Sequence, residues 1–394
     1  MALLALATLL SMSAWFSTSA VRPALSLDRG YTGTELTWMA VAVPAGFAMG
    51  TLVVAFLNLP DIFRPQKVFF AGAIGASLST LSLVPLEAVG IVIATQFTLG
   101  FSLAAVYPVG MKMITGWYRQ GRGLALGFMI GALTLGSGLP HIFRSLFTEN
   151  WEPTVIGAGL ATLGGGTLVL FFCPEGPHRA PAARFRPSYA LEVVRGHATR
   201  LAIGGYLGHM WELYAMWTWV PVFLIEVVGS HSLFSGTFEL ASILAFAVFA
   251  AGAAGSVVAG LGSERWGRTA SASAAMIASG TIALFVGFLP DAVAPLIVVL
   301  VIVWGLAVVA DSAQFSSAMS ELAEPSYVGT ALTLQTGLGF LLTIASIRLL
   351  PIVEDAGGWG LAFAMLGIGP ALGTLAMLRL RQLPEAVRMA SGRR

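Results

Sequence analysis

Long apolar stretches alternate with short polar or charged turns along the whole chain, and twelve of them are long enough to cross a bilayer as helices. A membrane-crossing helix needs about 20 mainly apolar residues. The predicted spans are Ala2–Leu25, Glu35–Leu57, Val68–Val84, Gly90–Ile114, Gly123–Phe143 and Pro153–Cys173 in the first half. In the second half they are Gly204–Glu226, Glu239–Leu261, Ala270–Leu289, Ala294–Met319, Val328–Leu349 and Trp359–Leu378. The first could be taken for a signal peptide, because Ser17-Thr18-Ser19-Ala20 looks cleavable. No positive region precedes it and the run exceeds the usual apolar core of such peptides, so it reads as a retained span.

Between the sixth and seventh spans the pattern breaks. Residues 174–200 hold Pro174, Pro177, Pro181 and Pro187 together with Arg179, Arg184, Arg186, Arg195 and Arg200. This is a solvated basic linker with room for a short surface helix around Tyr189–Arg195. The expected organisation is therefore a six-helix bundle over 1–173, a linker over 174–200, a second six-helix bundle over 201–380 and a tail over 381–394.

Composition agrees. Hydrophobic residues make up 57% and charged residues 10% of the 394, against about 25% charged in soluble domains, so the chain is an integral membrane protein. The single cysteine, Cys173, excludes an intramolecular disulfide. No phosphate loop, zinc spacing or nucleophile motif is present, which argues against an enzyme and leaves no expected cofactor or metal. Of the 21 Lys and Arg, all but Arg22, Arg29, Arg144 and Arg348 fall on the side of the linker, tail and turns such as Arg64–Lys67, Lys112–Arg122 and Arg265–Arg268. The positive-inside rule then places both termini in the cytoplasm, in a bacterial inner membrane.

Polar residues inside spans carry the candidate chemistry. In the seventh, Tyr206, His209, Glu212, Met216 and Trp219 recur at steps of three or four and are expected on one face. A carboxylate at the bilayer centre costs about 2.5–3.5 kcal/mol on insertion scales, so it faces protein or water and has a task. Similar faces are Ser11, Trp15, Thr18 and Arg22 in the first span, Gln96, Gly100, Leu103 and Tyr107 in the fourth, and Trp304, Asp311 and Gln314 in the tenth. Glu212, with His209 one turn away, is the expected proton carrier; the alternative is a structural hydrogen bond to a neighbouring helix. Asp311 is either a second carrier or a partner of Lys112 or of a helix end. His141, Arg144, Arg22 and Arg348 put positive charge on one half of the path, attracting an anion if they face inward and anchoring at the interface if they do not. Trp15, Tyr107, Trp219 and Trp304 supply aromatic walls. Gly127, Gly131, Gly136 and Gly138 let the fifth span approach its neighbours closely.

The halves also repeat. Arg144 ends the fifth span as Arg348 ends the eleventh, and Gly123-Leu124-Ala125-Leu126 is echoed by Gly329-Thr330-Ala331-Leu332. Gly260-Leu261-Gly262-Ser263-Glu264-Arg265-Trp266-Gly267-Arg268 resembles the G-x-x-x-D-R-x-G-R loop signature of the major facilitator superfamily, with Glu264 for the acid. The first copy, after the second span, keeps only Asp61, Arg64 and Lys67. The resemblance implies an all-α fold of two six-helix bundles related by a pseudo-two-fold axis, and alternating access about a site between them. It also implies that the first, fourth, seventh and tenth spans line the cavity, and that Glu264, Arg265, Gly267 and Arg268, with Asp61 and Arg64, form an inner gate. The antiporter R-x-x-x-G of the fourth span is absent, since Gln96 stands first there, and so is the G-P pair of the fifth. The loop with Trp117 before Arg122-Gly123 is similar to organic-anion and cyanate-permease-type members. The reading is a monomeric, proton-coupled importer of a small anionic solute, with lipid and solute as partners and no nucleic acid. The alternatives are an exporter, or a sensor or assembly protein on the same fold.

Overall fold

A computed structural model describes residues 1–118, 122–178, 187–231, 237–324 and 327–393. Arg119 in the turn after the fourth span, Arg179, Arg184 and Arg186 of the linker, and Arg394 of the tail lie outside the described residues, as does most of the turn after the seventh span. Among the described residues every regular element is helical.

Among the described residues nine segments are long and apolar enough to cross a membrane, and they account for ten of the twelve expected spans; the first and the third are shorter helices outside the nine. Val328–Gln382 is one of the nine but bends into two helices at Gly357–Gly358, where Gly358 has φ 73 and ψ -179. A side chain would be strained at that φ, so the glycine makes a sharp reversal possible. The third span, Pro65–Leu81, is only 17 residues long. The first is broken into Ala2–Met12, Ser17–Ala20 and Arg22–Arg29. The fourth and tenth are also interrupted, between Leu103 and Tyr107 and at Asp311. Pro108 explains the break in the fourth, because it brings no N–H and its ring clashes with the carbonyl of Ala104.

Local chemistry fixes the ends. Thr32 and Glu35 form a reciprocal capping box at the start of Gly33–Phe56, with Glu35 Oε2 accepting from Thr32 N at 2.8 Å. Gly267, φ 92, lets the chain turn within one residue from Thr237–Trp266 to Arg268–Phe285, which accounts for the glycine in the loop signature.

The spans form two six-helix bundles that meet along two long helix pairs, the fifth on the eighth and the second on the eleventh. The glycines of the fifth span permit close approach on both sides: Gly127 and Gly131 face Ser256 and Ala253 of the eighth span in the other bundle, and Gly136 faces Leu9 of the first span in its own. Leu78, Phe171, Phe285 and Leu372 are exposed on the outside, where lipid rather than water is their solvent.

The seventh helix starts at His197, earlier than the expected Gly204, and the short helix for which the linker has room covers Pro187–Arg195, with Gly196 between them. The tail packs against the second bundle. Pro384–Gly392 is a 3-10 segment in which Ala386 and Met389 are fully buried, and Ala390 N donates to Glu321 Oε2 at 3.0 Å.

Candidate functional site: a transmembrane path between two bundles

The break in the first span puts aromatic side chains at the bundle interface. Ser13 Oγ donates to the carbonyls of Leu10 (2.7 Å) and Ala158 (2.9 Å), which ties the interruption to the sixth span. Trp15, just beyond, lies 5.0 Å from the Phe47 ring, 5.4 Å from Tyr214 and 5.6 Å from Phe340, so the first, second, seventh and eleventh spans converge on it. Phe16 makes an edge contact with Trp217 at 5.9 Å. A cleft runs along this cluster, lined by Trp15, Phe16, Thr18, Met39, Tyr214 and Thr218 among others. Thr18 Oγ1 donates to Gln96 Oε1 at 2.8 Å, while Gln96 Nε2 is buried without a hydrogen-bond partner. Gln96 thus backs the cleft wall from behind. Trp15 lines the cleft itself; Tyr107, half-buried, opens the second helix of the interrupted fourth span.

The ionisable groups of the seventh span take different neighbours. Glu212, 1% exposed, accepts from Trp304 Nε1 at 2.7 Å and from Ser279 Oγ at 2.9 Å, donors on the tenth and ninth spans. Its carboxylate is thus enclosed within its own bundle and is not part of the cleft wall. Each three-residue step falls about 60° short of a full turn, so Glu212 lies about 60° round the helix from His209 and about 120° from Tyr206. His209 takes a different partner from the one its spacing suggested. Its Nδ1 lies 2.8 Å from Asp311 Oδ1, an ion-pair contact without hydrogen-bond alignment, and its Nε2 is 3.0 Å from Ser312 Oγ. His209 and Asp311 are each 2% exposed, and the imidazole packs 5.4 Å from the Phe315 ring. The pair sits where the tenth span is interrupted. Lys112 is not the partner of Asp311; it pairs with Asp61. Gln314 Nε2 reaches Ala259 O at 3.5 Å and its Oε1 is buried and unpaired, so it faces the eighth span.

Three of the four arginines away from the linker bridge the bundles, while Arg29 packs on Trp151 of its own bundle. The Arg22 guanidinium lies 4.6 Å from the Trp219 ring centre, Arg144 5.2 Å from Phe238, and Arg348 5.4 Å from Trp38. In each pair the cation comes from one bundle and the ring from the other. Arg22 also donates to Gly33 O at 3.1 Å and Thr37 Oγ1 at 3.3 Å. Trp219 Nε1 donates to Ile347 O at 3.1 Å. Trp38 and Phe238 carried no signal in the sequence beyond being aromatic residues near span ends, and Ser279 and Ser312 none beyond being serines in apolar helices.

At the linker end the loop signature forms a network. Arg268, nearly buried, donates to Ser263 Oγ (2.8 Å), Glu264 Oε1 (3.1 Å) and Glu321 Oε1 (3.2 Å). Arg393 bonds the Glu264 carbonyl. Arg265 is exposed, and Arg64 precedes Pro65 at the start of the third span. The two halves are related with charges exchanged: Lys112 of the fourth span meets Asp61 of the turn, while Glu321 of the tenth meets Arg268 of the turn.

Residues 4–347 match the model of the Major Facilitator Superfamily. The structure is similar to that of the nucleoside transporter NupG (D323A mutant), with a TM-score of 0.69, 15% identity, and coverage of 96% of this chain and 99% of that one. No curated protein sequence matches the chain significantly. The chain belongs to the Major Facilitator Superfamily, as a membrane-embedded secondary transporter rather than an enzyme.

Proposed function

We propose that the protein takes up a small anionic solute together with protons, by alternating access between bundles 1–173 and 201–380, with the linker end in the cytoplasm of a bacterial inner membrane. The observation that carries proton coupling is the buried His209–Asp311 pair, 2.8 Å apart at the interruption of the tenth span. The two groups stand within proton-transfer distance of each other, and a proton reaches or leaves them only when water does. Glu212 is a second buried carboxylate, held by two fixed donors, and this reading gives it a supporting part. Arg22, Arg144 and Arg348 support an anionic solute, because they concentrate positive charge at the end where such a solute would enter. The Arg268–Glu264–Glu321 network, with Asp61–Lys112 opposite, serves as the inner gate.

The test is Asp311→Asn in proteoliposomes. Accumulation of a radiolabelled carboxylate driven by an inward pH gradient is expected to fall to the level set by equilibration, while counterflow at equal pH continues. Full gradient-driven accumulation in the variant overturns proton coupling through this pair. A second reading, export of a ring-bearing compound, is favoured by the aromatic walls of the cleft at Trp15, Phe16 and Tyr214. It predicts counterflow with planar heterocycles and none with carboxylates.

A further inference from the structure

Next to the aromatic cleft, and farther from the linker, a second, narrow cleft with room for about one water-sized group lies between the first, fifth, seventh and eighth spans. Both bundles contribute to it: Ser19 and His141 from one, Pro221, Phe238 and Ser242 from the other. His141 is only 2% exposed and its ring stacks on Phe249 at 5.6 Å, yet its Nε2 is buried with no hydrogen-bond partner. A buried polar nitrogen left unpaired is destabilising, and this one is free to bond a group that enters the cleft. Arg144 follows one helical turn later. It is 5% exposed and stands behind the cleft wall, its guanidinium over Phe238 and bonded to the Phe147 carbonyl, with its Nε unpaired. No acidic side chain lines the cleft, and most of the remaining wall is apolar. In such surroundings a single N–H donor and a nearby cation attract negative charge strongly.

We propose that this cleft is a subsite for the anionic oxygen of the transported solute, a carboxylate or small oxyanion. His141 Nε2–H donates to that oxygen and Arg144, behind Phe238, supplies the charge. The inference rests on the reading of the solute as an anion and adds the groups that recognise it. Because the walls come from opposite bundles, an anion held here contacts both at once.

Equilibrium binding to the purified protein, without a pH gradient, tests the site independently of coupling. The probes are acetate, oxalate, succinate, phosphate and sulfate, read by intrinsic tryptophan fluorescence and by thermal shift. His141→Phe keeps the ring on Phe249 but removes the donor, and is expected to weaken the best-bound anion by about tenfold or more. His141→Gln restores an N–H donor and is expected to recover most of the affinity. Equal affinity in wild type and His141→Phe overturns the subsite, as does failure of every anion to bind the wild type. Neither result touches proton coupling through Asp311, whose own failure would leave the His141 difference standing.

Discussion

Trp38→Leu combined with Phe238→Leu removes two of the three aromatic faces on which arginines of the opposite bundle rest, while keeping apolar bulk. Trp38 is 45% exposed, so its contact with Arg348 falls at the weaker end, about 0.5–1 kcal/mol. Arg144 is 5% exposed beside Phe238, and that pair belongs nearer 1–2 kcal/mol. Together the pairs favour the arrangement in which the ends away from the linker are closed by about 1.5–3 kcal/mol, since the contacts cannot persist when those ends part. Their loss is expected to raise the open-to-closed ratio roughly ten- to hundredfold. Spin labels on Glu87→Cys and Asp291→Cys, both exposed in far-end turns of opposite bundles, report this by pulsed dipolar spectroscopy. Cys173 is buried and need not be replaced. The expected result is a growing long-distance population in the Leu variant. Superimposable distance distributions for variant and parent would refute the idea that these pairs hold the bundles together.

Other substitutions test the packing. Trp304→Phe deletes the 2.7 Å donor to the buried Glu212 carboxylate, with a cost of about 1–3 kcal/mol and a melting point lower by a few degrees. Adding Glu212→Gln is expected to recover part of that loss, and an unchanged melting point in the single variant would show that the bond contributes nothing. Gly100→Val puts a side chain where a Cβ would stand 1.9 Å from the Val43 carbonyl, and the reciprocal Gly46 position meets Phe97 O at 1.9 Å. Expression of folded Gly100→Val protein should collapse. Gly164→Ala, with nothing within 4 Å, should be neutral; size-exclusion profiles in detergent distinguish the two.

The helices and their grouping were legible because the bilayer demands long apolar runs and the turns between them are charged. The loop signature was legible too, and Gly267 at φ 92 supplies its physical reason. What spacing could not supply was rotation and partnership. Glu212 shares three-residue steps with Tyr206 and His209, but the drift those steps accumulate turns it toward Ser279 and Trp304. Asp311 and His209 are about a hundred residues apart in the chain, and only the packing of the seventh span against the tenth joins them. The interruption at Asp311 has no proline to announce it, unlike that at Pro108. Arg22, Arg144 and Arg348 were visible as isolated charges, whereas their aromatic counterparts in the other bundle required the assembled fold.

The closing residues have a practical bearing of their own. Glu321 is shared between Arg268 and the amide of Ala390, and Arg393 reaches the backbone of Glu264, so residues 383–393 act as a strut under the tenth helix. Trimming the chain after Gln382, or pulling on it with a bulky carboxy-terminal fusion, would slacken that strut and leave the glutamate with one partner instead of two. A reporter or purification handle belongs at the opposite terminus, where Met1 is exposed to solvent.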